Sequence, residues 1–299
     1  MSLFACMVVV GVPSPCSSQE AKRTPDASAA PPETVIVTGH LPDREQRDKV
    51  VWNFVYAHAK YSPKIDQLAR WSTPVCPEVR NLAPSFGTFI KKRIEAIATS
   101  TGAPTKETCK TNIEIIFTSQ PQKLMDGVAK SDPKLLGYHF VHDIAAAATV
   151  TRSIQAWYVT ATSNRVRTAI DDPYHSAPGG IPGSRLTSGQ LSMLDHVLIV
   201  VDTDKVAGYS IGPIADYIAM LSLSQAEAPD NCVELPSILD LMSSDCSDSQ
   251  KPESLTVADK AYLEGLYAMD TEEIGSLQRS AISGHILQSF GDERPLAKQ

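Results

Sequence analysis

Two neighbouring stretches, Leu194–Asp202 (LDHVLIVVD) and Ile214–Leu223 (IADYIAMLSL), decide how this chain is read. The first is β-branched and apolar over most of its length and reads as a buried strand, with Gly208 marking the turn out of it. The second is apolar on nearly every side, so a helix formed from it must be covered on more than one face. A buried strand followed by a buried helix calls for a sheet with helices packed on it.

The remaining periodicities agree. Val50, Val51, Phe54, Val55 and His58 follow helical spacing, giving a first helix over 44–60 with His58 at its boundary. Arg70–Cys76 reads as a short extended piece. Val79–Thr99 reads as an amphipathic helix with Leu82, Phe86, Phe89, Ile90, Ile94 and Ile97 inward and Lys91, Lys92 and Arg93 on its solvated face. Strands are expected at 112–117 and 149–159, and a short helix at 122–129. Leu255–Met269 begins with Thr256 and Asp259 at capping-box spacing and continues as a helix, and a last helix covers 271–288. The expected class is mixed α+β, in which a layer of helices packs on a small mixed sheet.

Composition narrows the setting. The chain has 299 residues, enough for a sizeable core, and 42% hydrophobic with 20% charged residues is an ordinary globular balance. A net charge of -7 with scattered Lys and Arg argues against a nucleic-acid partner. Met1–Val12 carries an apolar run of signal-peptide length, too short for a transmembrane span, so residues 1–18 are expected to be a signal peptide. A flexible, Pro-rich linker is expected over 19–43, a single domain over 44–290 and a tail over 291–299. The expected location is periplasmic or secreted, with an outer-membrane lipoprotein anchored through Cys16 as the alternative.

Cysteine usage fits export. Beyond Cys6 and Cys16 the chain holds Cys76, Cys109, Cys232 and Cys246, an even set with three connectivities open to it. The local pairing, Cys76 with Cys109 and Cys232 with Cys246, is expected, each closing a modest loop worth roughly 3 kcal/mol.

Nucleophile elbows, P-loops, Gly-rich dinucleotide turns and HExxH are all missing from the sequence. The second half nevertheless resembles the catalytic domain of metzincin metalloproteases, the matrixins above all, over residues 195–268. In that family a helix and its downstream loop carry HExxHxxGxxH, a Met-containing turn follows, and L-[ST]-x-x-D opens a helix ending in Leu-Tyr. Here Ala215, Asp216 and Ala219 occupy the first three diagnostic positions, and Ser222 and Gln225 the Gly and third-ligand positions. Ser237–Met242 matches the Met-turn segment, and Leu255, Thr256, Asp259, Leu266 and Tyr267 match the closing helix.

The resemblance implies a zincin-like domain without its zinc ligands, because a methyl group donates nothing to a metal. No metal and no cofactor are therefore expected. A second resemblance, of ETVIVTG near residue 38 to the segment opening the plug of TonB-dependent receptors, implies a Gram-negative envelope setting.

The reading that results is a non-catalytic domain binding an envelope protein, a peptide or a cell-wall component, with Asp216, Tyr217, Gln225 and His175 as candidate cleft residues. The competing reading is an atypical hydrolase that uses Asp216, Tyr217 and one of His139, His142 or His175, provided that folding brings them together. A simpler account of Asp216 is a carboxylate in the first turn of its helix, complementing the helix dipole.

Overall fold

The computed structural model describes residues 44–164, 166–175, 183–184, 187–270 and 272–291. The expected signal peptide, the linker and nearly all of the tail lie outside these. The described residues form seven helices and a five-stranded mixed sheet, an α+β fold. In chain order these are α1 (Arg44–His58), β1 (Pro77–Arg80), α2 (Pro84–Thr101), β2 (Ile113–Thr118), α3 (Pro121–Ser131), α4 (Ile144–Ala147), β3 (Ile154–Ser163), β4 (Thr168–Ile170), β5 (Leu191–Asp202), α5 (Ile211–Leu223), α6 (Val257–Ala268) and α7 (Gly275–Ser289).

The strand order is β1-β2-β5-β3-β4. Strands β1, β2 and β5 run parallel, with Ile115 opposite Ile199, and β3 returns antiparallel to β5, with Ala156 opposite Ile199. Strand β5 is therefore central, and this explains its continuous apolar run: it is buried on both faces. Val197, Ile199 and Val201 enter the larger core, made with α1, α2, α5, α6 and α7. Leu198 and Val200 turn to a smaller core formed with Trp157, Met125 of α3 and Leu136. Strand β2 alternates buried and half-buried residues, as expected of a strand nearer an edge.

Expectations about bounds and facing are corrected at several points. Residues 70–76 are extended but lie outside the five strands, and β1 occupies Pro77–Arg80, whose last two residues, Val79 and Arg80, fall in the range expected for the following helix. Pro84, at the first turn of α2, marks the true helix start. Phe86 and Phe89 are exposed, because the inward stripe of α2 is Ile90, Ile94, Ile97, Ala98 and Thr101. The expected strand at 149–159 starts later, at Ile154, and runs to Ser163.

Helix α5 from Ile214 to Leu223 is buried throughout. Its last four carbonyls have no partners within the helix, and in a core without water each must be met by a donor. Ser224 Oγ donates to Met220 O at 2.8 Å, Tyr158 OH to Leu221 O at 3.1 Å, Trp71 Nε1 to Ser222 O at 2.7 Å and Tyr267 OH to Leu223 O at 2.6 Å. Burial pushes the phenols of Tyr158 and Tyr267 well above the ordinary tyrosine range, so both keep the proton they donate. A strand, a helix and the segment before β1 thus converge on one helix end.

The expected cysteine pairs are both at bonding distance, with Cα–Cα separations of 6.0 Å for Cys76–Cys109 and 5.1 Å for Cys232–Cys246. Helices α6 and α7 approach closely at Gly265, where a Cβ would meet the Ile282 Cα at 3.0 Å.

The packing of α5 predicts that Ile218→Ala, at a fully buried position, lowers unfolding free energy by about 2 to 5 kcal/mol in denaturant titration. A change near zero would contradict the central place of this helix.

Candidate functional site

Asp216 and Tyr217 are adjacent in α5 and, as successive helix residues, point to different sides of it. Because the helix starts at Ile211, Asp216 lies in its second turn and does not cap or complement the first, which corrects the dipole account. Its carboxylate forms a two-pronged ion pair with Arg93 of α2, Nε to Oδ1 at 2.5 Å and Nη2 to Oδ2 at 2.9 Å. The Leu255 amide donates to Oδ2 at 2.8 Å. Asp216 is 1% exposed and the Arg93 side chain 42% exposed, so the pair ties a surface arginine to a buried anchor. Arg93 therefore does not belong wholly to the solvated face assigned to it from sequence.

No histidine nitrogen lies within 4.0 Å of the Asp216 carboxylate among the described residues. His139 Nδ1 is bonded to Gly137 O, His142 pairs with Asp143, and His175 pairs with Asp172 on an exposed loop. The hydrolase constellation is not assembled, and His175 is not a cleft residue. The first two matched zinc positions face no cleft either, since Ala215 and Ala219 are fully buried in the core.

Tyr217 and Gln225 do meet. They line a cavity of about 240 Å³ at the C-terminal end of α5, walled by Ile154, Ala156 and Tyr158 of β3 and by Leu221. Ala226–Ala228 closes one side. At the rim Lys60 pairs with Glu227 at 2.6 Å and Arg152 with Asp230 at 2.8 Å, so cations and anions balance there. The Tyr217 hydroxyl, on the cavity wall, makes no hydrogen bond to the described residues, and the Oε1 of Gln225 is buried without a partner. Burial drives the Tyr217 phenol above its ordinary range, against the pull of Arg152, and it stays a neutral donor. A donor and an acceptor left open beside apolar walls suit a small group that is partly polar.

A buried polar cluster flanks this region. Asp259 of α6 is fully buried and accepts from Ser237 Oγ at 2.7 Å, the Ile238 amide at 2.7 Å and the Thr256 amide at 3.0 Å. Thr256 caps the Asp259 amide in return, completing the expected capping box. Asp240, in the 3₁₀ helix Ile238–Met242, accepts from the Ser237 amide at 2.9 Å. His58 ends α1, at the helix boundary expected for it, and is completely buried, with Nδ1 on Phe54 O at 2.8 Å and Nε2 unpartnered. Burial lowers the His58 imidazole, while burial raises the carboxyls of Asp259 and Asp240, the latter to about 6.

Sequence reasoning missed the roles of Lys60, Arg152 and Glu227, which belong to no motif. Arg93 carried a usable signal, a long cation one turn from the buried stripe of its helix.

Among the described residues one group of three could ligate a metal by proximity, Cys232, Asp240 and Cys246, and its two sulfurs are joined in a disulfide. No described helix is long and apolar enough to cross a membrane. Comparison with known protein families, curated proteins and solved structures finds no match to this chain.

The ion pair predicts an asymmetry. Arg93→Ala leaves a buried carboxylate uncompensated and should cost about 3 to 5 kcal/mol, whereas Asp216→Asn keeps an acceptor for the Leu255 amide and frees Arg93 to solvent, costing about 1 to 2 kcal/mol. Equal costs would show that Asp216 is solvated.

The buried imidazole sets a pH dependence. His58 has a folded-state value below 6.5, so below that pH the unfolded chain binds more protons and stability falls as pH falls. Asp240, raised to about 6 when folded, contributes in the opposite sense through the window below that value, and Asp259, also raised by burial, acts with the same sign. Unfolding titrations at several pH values should therefore show the wild type losing stability relative to His58→Phe between about pH 7 and pH 5.

Proposed function

We propose that this chain is an exported, non-catalytic binding domain whose ligand site is the cavity at the C-terminal end of α5. The observation that carries the reading is a cavity lined by Tyr217, whose hydroxyl makes no hydrogen bond to the described residues, and by Gln225, whose buried Oε1 is likewise unpartnered. The carboxylate best placed by sequence for chemistry, Asp216, is meanwhile occupied by Arg93 and the Leu255 amide. A carboxylate with both oxygens already held by the protein is not positioned to take a proton from a substrate.

At about 240 Å³ the cavity suits one side chain or a comparably small group, so the ligand class is a peptide or peptide-bearing envelope component that docks a single polar-tipped side chain. The balanced rim of Lys60, Glu227, Arg152 and Asp230 suits the alternating partial charges of a peptide backbone better than a polyanion.

Two features support the origin of such a domain as a zincin that has lost its metal. The segments matched to the family, β5 with α5, 237–242 and α6, are contiguous in space, and Asp259 bonds the second to the third. Of the positions matched to zinc ligands, only Gln225 reaches the cavity. Export is supported by two disulfide pairs in a chain that begins with a signal-like segment.

The test is titration calorimetry with cell-wall stem peptides and with a pool of short synthetic peptides. Gln225→Leu and Tyr217→Phe should each weaken binding about tenfold, the effect of one lost hydrogen bond in a buried site, with thermal stability preserved. Asp216→Asn should bind as the wild type does. Saturable binding that ignores both cavity variants, or hydrolysis of the peptides removed by Asp216→Asn, would overturn the proposal.

A further inference from the structure

The second disulfide sits beside a carboxyl that neither the fold nor the cavity fully uses. Cys232 is half-buried and Cys246 is 4% exposed, so an incoming thiol can reach the first sulfur but not readily the second. A carboxyl oxygen of Asp240 and the two sulfurs all lie within 4.8 Å of one another. Asp240 is 1% exposed, its Oδ2 accepts from the Ser237 amide, and its Oδ1 is buried with no hydrogen-bond partner. An acceptor left open in a core carries a cost that a structural carboxyl would normally avoid. The other disulfide has no such neighbour: no group that joins Cys76 or Cys109 to carboxylates occurs among the described residues.

We infer that Cys232–Cys246 is a thiol–disulfide exchange site for a dithiol partner, with Asp240 as the proton donor to the departing Cys246 sulfur. In the first step a thiolate of the partner attacks Cys232 Sγ. A new S–S bond forms between partner and Cys232, the Cys232–Cys246 bond breaks, and its electron pair leaves on Cys246 Sγ, which takes the Asp240 proton. The partner's second thiolate then attacks the partner sulfur of the mixed disulfide and expels Cys232 as a thiolate, which is protonated by water. The protein disulfide gains two electrons and the partner dithiol loses two, becoming a disulfide; Asp240 recovers its proton from solvent. Exchange of this kind is accelerated when the leaving sulfur is stabilised as it departs.

The surroundings keep Asp240 competent as an acid. Burial is the main cause of its elevation to about 6; Asp259 of α6 adds to it, and the amides of Ser237 and Val233 oppose it. Tyr217 of α5, which also faces it, is neutral, and His58 of α1 acts on it only through Asp259. Opening the disulfide would also release the loop that carries Ser237 and Ile238 to Asp259, so the redox state of this pair reaches the α6 junction.

The experiment uses the full, oxidised chain. It is exposed briefly to dithiothreitol between about pH 5 and pH 8, alkylated, and each cysteine is quantified by peptide mass analysis, with rates normalised to the reductant's thiolate. Cys232 and Cys246 should be labelled about tenfold faster than Cys76 and Cys109, although Cys109 is the most exposed of the four, and the normalised rate should rise as pH falls through about 6. Asp240→Asn should remove that rise and leave Cys76–Cys109 unaffected. If this variant does not fold, the wild-type comparison of the two pairs still decides. Equal rates, faster opening of Cys76–Cys109, or opening of both pairs only on global unfolding would overturn the inference.

Discussion

Everything near the candidate site depends on how helix α5 ends. A helix whose last turn is buried presents carbonyls that water cannot reach, and leaving even one unmet costs about 1 to 3 kcal/mol. This chain meets the four from three directions in the fold, through Trp71, Tyr158 and Tyr267, with Ser224 supplying the fourth. Trp71 is buried in the core, and Tyr158 and Tyr267 pack against it partly buried. One set of side chains therefore fills the core and fixes the helix end, and the cavity that begins at Leu221 inherits rigid walls from that arrangement.

The other end of α5 is held by charge. Arg93 reaches across from α2 to the Asp216 carboxylate, and the same carboxylate takes the amide of Leu255, one residue before the capping box of α6. Asp259 repeats the pattern a turn further on, collecting Ser237, Ile238 and Thr256. Two aspartates thus replace regular secondary structure as the organisers of the long segment between α5 and α6. Buried carboxylates of this kind give weak net stability but strict geometry, since each holds several donors in a fixed relation.

Local pattern made the fold class legible. The apolar run of β5, the all-round apolar α5, the alternation of β2 and the Thr256–Asp259 spacing each correspond to an element or a cap that is present. The local pairing of the cysteines was legible for the same reason, because short loops bring partners together. What sequence could not give was direction. Nothing local names the partner that Arg93 reaches, or shows that His58 turns fully into the core, because both outcomes are set by residues more than 100 positions away. Strand order is illegible on the same ground: β5 lies between β2 and β3, and parallel and antiparallel pairing along a buried strand carry the same apolar signature.

That difference bears on function. Asp216 and Tyr217 drew attention because two polar residues interrupt an apolar helix, and a sequence cannot say whether such residues are polar for a substrate or for the protein itself. The partners decide it. Asp216 has both oxygens engaged by the protein, so its polarity is spent on architecture, whereas Tyr217 sits in an equally buried position with a hydroxyl that the described residues leave unanswered. Buried polar groups are as a rule met by partners, which is why the proposed ligand site rests on Tyr217 and Gln225 rather than on Asp216. Of the two polar residues of this helix, the aspartate is therefore architectural, and the tyrosine beside it is the one that shares a cavity lining with Gln225.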